Sequence, residues 1–110
     1  MNILQDSVSP VTLRIMVTRE VSSDIDLTTV TDANIHCRIP KLTNQPTEEY
    51  VYVDWAPTVE THTESLVYLL YPFAVGDLSR VGTYTLAIDL EVPSGTLPCT
   101  TTTFQVVNRM

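Results

Sequence analysis

The chain is 110 residues long, 44% hydrophobic and carries a formal net charge of −7, with thirteen acidic against six basic side chains. That length gives one domain, able to bury roughly 65% of its unfolded surface without a metal or disulfide scaffold. Its basic residues, Arg14, Arg19, Arg38, Lys41, Arg80 and Arg109, are scattered, which argues against nucleic acid and anionic membrane surfaces as partners.

No membrane span is expected, because the longest apolar run, Leu66 to Tyr71, falls far short of the roughly 20 residues required. Residues 1–6 have neither a basic start nor an apolar signal core, so synthesis and folding in a reducing cytoplasm are expected. Cys37 and Cys99 have no second Cys or His at zinc-ligand spacing. They read as structural free thiols, with a disulfide as the alternative for a chain that works outside a cell.

Residues 1–9 are polar and are expected to form a flexible or docking arm. A first strand follows over 11–18, with Val11, Leu13, Ile15 and Val17 on one face. The acidic stretch 19–32 is a loop anchored by Leu27 and Val30. A second strand over 32–40 points Ala33, Ile35, Cys37 and Ile39 inward and Asn34, His36 and Arg38 outward, and Pro40 ends it. Residues 41–47 read as a turn.

The third strand, 48–56, sets Val51, Val53 and Trp55 against Tyr50, Tyr52 and Asp54. Trp55, the only tryptophan, is assigned to the core. A short edge strand is expected around 59–63. The run 66–71 has partly helical spacing, yet Pro72 ends it too early for a stable helix, and its β-branched and aromatic flanks favour a strand. A turn over 74–80 crosses between sheets.

The clearest alternation in the chain is 81–92, where Tyr84, Leu86, Ile88, Leu90 and Val92 alternate with Thr83, Thr85, Ala87, Asp89 and Glu91. Gly82 and Tyr84 introduce it as a Gly-x-Tyr step, similar to a tyrosine corner, with the Tyr84 hydroxyl expected on backbone of the preceding turn. Pro93-Ser94-Gly95 then makes a hairpin turn into a last strand, 99–107, and a short polar tail. Residues 1–110 thus read as a single all-β domain, an antiparallel immunoglobulin-like β-sandwich of about seven strands with short polar arms at both ends.

Chemistry is sparse in this pattern. With three glycines there is no phosphate loop, and no nucleophile motif appears. His36 and His62 read as ordinary surface histidines, although they could share a metal across strands. Glu20, Asp24, Asp26 and Asp32 surround one loop and could collect calcium, but lack the calcium-loop spacing and read as a solvated acidic loop. No catalytic, cofactor-binding or metal-binding residue is therefore assigned, no cofactor is expected, and the chain reads as a non-enzyme.

Several segments carry a family resemblance. Asp26-Leu27-Thr28 precedes the alternating run Ala33 to Pro40, and Tyr68-Leu69-Leu70 precedes Gly82-Thr83-Tyr84-Thr85-Leu86. The chain closes on Thr103-Phe104-Gln105-Val106. This layout resembles the immunoglobulin-like domains of bacteriophage virions, above all the N-terminal domain of upper baseplate proteins of tailed phages. It departs from cell-surface immunoglobulin domains at Leu86, where those place the second cysteine of their inter-sheet disulfide.

The resemblance implies a structural protein of the virion, in the tail or baseplate, made in the host cytoplasm and working through contacts with other virion proteins and copies of itself. A capsid decoration protein is the nearest alternative. An adhesion module for a host glycan or protein is another, with Tyr50, Tyr52, Tyr68 and Tyr71 as a candidate aromatic patch.

Overall fold

The computed structural model describes residues 2–18, 25–41, 49–99 and 101–108, with the side chains of residues 61 and 62 excepted. Among these residues are nine strands: β1 (Asn2–Leu4), β2 (Thr12–Thr18), β3 (Asp32–Ile39), β4 (Val51–Trp55), β5 (Thr58–Thr63), β6 (Leu66–Pro72), β7 (Gly82–Val92), β8 (Gly95–Pro98) and β9 (Thr102–Val107). The larger sheet runs β1-β9-β7-β3-β4, with β8 also on β7, and the smaller runs β2-β6-β5. The result is an all-β, immunoglobulin-like sandwich, antiparallel except where β1 joins β9.

The seven expected strands are all present, and two more join them. The first corrects the flexible arm at the N-terminus: β1 pairs in parallel with β9 and buries Ile3. The following segment is tied down too, through Gln5 N–H to the Val107 carbonyl and Ser9 N–H to the Phe73 carbonyl, both at 2.8 Å. One apolar side chain at alternate spacing, Ile3, is enough to seat so short a strand over a sheet margin.

The second addition lies in the closing hairpin. The sequence places the start of the return strand at Cys99, but its ladder starts at Gly95, and Cys99 and Thr101 lie outside both β8 and β9. Pro98 has no amide hydrogen to continue a ladder. Cys99 N–H still reaches the Ile88 carbonyl at 2.8 Å, which keeps β8 and β9 on the same side of β7. The expected turn over 41–47, apart from Lys41, and the final residues 109 and 110 lie outside the described residues.

The core forms as the period-two pattern requires. Tyr84, Leu86, Ile88, Leu90 and Val92 of β7 are buried against Leu13 and Val17 of β2 and Val67 and Leu69 of β6. Each full burial of such a side chain stabilises the fold by about 1.5–3 kcal/mol. Leu27 and Val30 anchor the acidic loop in this core, with Leu27 opening a single 3-10 turn. Trp55 is buried as expected, stacked on Tyr71 with ring centroids 4.9 Å apart and planes 8° apart.

The crossover from β6 to β7 is held by two side chains. Asp77 accepts from the Tyr71 hydroxyl at 2.7 Å and from the Ala74 amide at 2.8 Å. Tyr84 then donates to the Arg80 carbonyl at 2.9 Å and accepts from the Arg80 amide at 3.2 Å, which makes the tyrosine corner real. Gly82 adopts a φ of +138°, and a Cβ there would sit 2.9 Å from Pro40 Cβ, so only glycine lets the start of β7 lie against the end of β3.

Candidate functional site

The outer face of the larger sheet collects the polar side chains that the alternation turns away from the core. On β3 these are Asp32, Asn34, His36 and Arg38. The pairing register sets them opposite Glu91, Asp89, Ala87 and Thr85 of β7. On the other side His36 lies opposite Asp54, and Arg38 opposite Tyr52, both on β4.

His36 sits at the centre of this face and bridges three strands. Its Nδ1 lies 2.6 Å from Asp54 Oδ1, and its Nε2 lies 2.9 Å from Asp89 Oδ2. Ionised carboxylates only accept, so satisfying both contacts requires a hydrogen on each ring nitrogen, which is the imidazolium. The Asp54 contact, then the Asp89 contact, raise the His36 pKa above its ordinary value, against a smaller opposing effect of burial. A ring with both nitrogens engaged has no lone pair left for a metal or a proton.

The two ring nitrogens also point apart, so Asp54 and Asp89 do not converge with either of them on one ion. Among the described residues no three His, Cys, Asp or Glu side chains come together as a metal site. The side chain of His62, the suggested metal partner of His36, lies outside the described residues, as do Glu20 and Asp24 of the calcium candidate. The remaining members of that set serve the backbone. Asp26 Oδ1 accepts from the amide and hydroxyl of Thr28 at 2.9 and 2.6 Å, and Asp32 Oδ1 accepts from the Ala33 amide at 2.8 Å.

Beyond His36 the face becomes basic and aromatic. Arg38 Cζ lies 4.4 Å and Lys41 Nζ 4.5 Å from the centroid of the Tyr50 ring, within cation–π range. Arg38 also reaches the Thr85 hydroxyl at 3.4 Å, and Arg80 donates to the Pro40 carbonyl at 3.2 Å. Tyr50, immediately before β4, and Tyr52, on its outer face, are both exposed at the margin of this sheet, Tyr52 by 66%; Val51 between them is also exposed but has the parity of the inner face.

The candidate aromatic patch divides as a consequence. Tyr68 lies on the outer face of the smaller sheet under Arg14, 3.9 Å from its ring centroid. Tyr71 turns inward onto Trp55, and burial, with the bond to Asp77, raises its phenol pKa well above the usual range. Only Tyr50 and Tyr52 remain as an exposed pair. Cys37 and Cys99 are both free thiols, and burial pushes the Cys37 thiol up to about 12.

A groove of about 550 Å³ opens between β2 and the β8–β9 return, over Leu13, Ile15, Leu97 and Phe104 with a wall of Thr101 to Thr103. Among the described residues its lining includes no carboxylate and no histidine, and these bring no acid–base pair together. The His36 bridge was not anticipated. The outward parity of His36, Asp54 and Asp89 was readable, but the register that joins them was not. No protein-family model, curated protein or solved structure matches the chain.

Proposed function

We propose that this chain is a non-catalytic structural subunit of a tailed-phage virion, a tail or baseplate component whose contacts are made by the outer face of its larger sheet. The observation that carries the contact role is the exposed pair Tyr50 and Tyr52, the first immediately before the outermost strand and the second on its outer face, beside Arg38 and Lys41. Aromatic residues and arginine are the types enriched where proteins meet. An outer strand carrying such residues is a ready surface for another chain. The virion context comes from the sequence resemblance, and the sandwich with its Gly82-x-Tyr84 corner is compatible with it.

The test is the protein inventory of purified particles, followed by electron microscopy to locate the chain in density. Density in the tail or baseplate supports the reading, and density on the capsid shell replaces it with a decoration protein. Absence from particles overturns both. Host adhesion is a second reading, favoured by the exposure of Tyr52, since sugar faces stack on such rings. It requires binding on a glycan array that Tyr52→Ala abolishes.

A further inference from the structure

Strand β2 is an outermost strand, and among the described residues its ladder has a partner on one side only, β6. The Phe73 amide bonds the Val11 carbonyl directly across that ladder, which sets its phase. Leu13, Ile15 and Val17 therefore exchange bonds with β6, and the amides and carbonyls of Arg14 and Met16 point away from the sheet. Pro72 fits the same phase, since it lies opposite Thr12 at a pair that needs no hydrogen bond. Exposed strand edges are commonly blunted by a proline, a bulge or several charges. From Thr12 to Thr18, β2 has neither proline nor bulge, and Arg14 is its one charge.

The open edge borders the groove between β2 and the β8–β9 return. Successive residues of β2 from Leu13 to Thr18, inward and outward alike, line it, which sets it along the strand's margin rather than under one face. Leu97 and Phe104 form its far side, and the core residues Leu86, Ile88 and Leu90 reach it. A strand laid beside β2 takes up about 4.8 Å of width and ~24 Å of length, its inward side chains filling roughly half of the ~10 Å between sheets. That comes to roughly 600 Å³, against a groove of about 550 Å³. Its plan area, on the order of 100 Å², is far below the roughly 800 Å² per partner of a standard interface between folded proteins. A single segment fits there, and a folded domain does not.

We infer that this edge accepts one extended segment of another protein as an added strand, apolar at every second residue. Pairing with Arg14 and Met16 satisfies the open backbone row, and alternate side chains fill the groove over Leu97 and Phe104. A small apolar ligand would fill the groove yet leave the backbone row unmet, so the two features together select a polypeptide. This contact is separate from the outer face of the larger sheet and holds whether or not the chain belongs to a virion.

Amide exchange on the purified chain is the first test. The Arg14 and Met16 amides should exchange about 100-fold faster, or more, than those of Leu13 and Ile15. Equal protection overturns the inference, because the edge is then covered within the chain itself. The binding probe is a library of peptides of about nine residues, with Val, Ile, Leu or Phe at alternate positions and Thr, Ser, Lys or Glu between them. Members should bind with dissociation constants of about 100 μM or tighter and protect the Arg14 and Met16 amides. Met16→Pro removes one edge donor without touching the β6 ladder and should weaken binding about tenfold or more. If that variant fails to melt cooperatively, N-methylated peptides replace it. Methyl groups on one alternate set of peptide amides should abolish binding, and on the other set should leave it intact.

A library with no binder at about 1 mM peptide, where even a millimolar dissociation constant would show, overturns the added strand. So does binding that leaves those two amides unchanged, or that ignores both Met16→Pro and N-methylation. Dimerisation of the chain that Met16→Pro abolishes would make a second copy the occupant and overturn the assignment to another protein. Strand addition by a chain absent from particles overturns only the virion reading. A chain located in the tail or baseplate whose β2 amides are all protected when free overturns only the added strand.

Discussion

The Tyr84 hydroxyl bonds both the carbonyl and the amide of Arg80, so one side chain closes a loop of four residues at the mouth of β7. Tyr84→Phe leaves both backbone groups without that partner, and should lower stability by about 1–3 kcal/mol in chemical denaturation. An unchanged midpoint would remove the corner from the account of the fold. His36 makes a different kind of contribution. Its folded pKa is raised above the ordinary 6.5, so the bridge to Asp54 and Asp89 stabilises fully below that value and is lost as pH rises through the folded pKa. The ring is half exposed, which limits the effect to ~0.2–1 kcal/mol. The melting-temperature gap between wild type and His36→Gln should therefore be wider at pH 6 than at pH 9. A gap that widens toward pH 9 would contradict the imidazolium bridge.

At the scale of the element, β4 combines two tasks. Trp55 anchors its inner face through Tyr71 and Phe73, while its outer face presents Tyr52 and Asp54. Trp55→Ala should cost about 3–5 kcal/mol, and amide exchange should show β4 losing protection before the β3–β7 ladder does. Uniform loss across the sheet would mean that β4 is not a separately anchored margin. The β7 hairpin shows a different economy of sequence. Gly82 opens the strand against Pro40 and Pro98 interrupts its return, so a glycine and a proline fix where the ladder starts and pauses.

At the scale of the whole molecule, the two sheets enclose one core with Cys37 at its centre and Cys99 half-buried beside the β8–β9 return. The thiolate is the reactive form, and burial pushes the Cys37 thiol up to about 12. A thiol-specific disulfide reagent at pH 8 should titrate one cysteine of the native protein at once and the second only as fast as the fold opens. Cys37→Ser should remove the slow phase. Two equally fast thiols would place Cys37 outside the core.

The sequence alone determined which face each side chain takes and where most turns fall. Those are local matters: period two sends Leu86 and Ile88 inward and His36, Asp54 and Asp89 outward whatever the neighbours are. It also made Gly82 and Tyr84 legible as a corner. Only the tertiary structure decided which strands lie side by side and in what register, because pairing is chosen by burying one whole face against another. That choice brings Asp54 and Asp89, 18 and 53 residues distant in the chain, onto one imidazole. It separates Tyr68 and Tyr71 from Tyr50 and Tyr52, and it turns an arm that looked too polar to fold into the strand that borders the sheet.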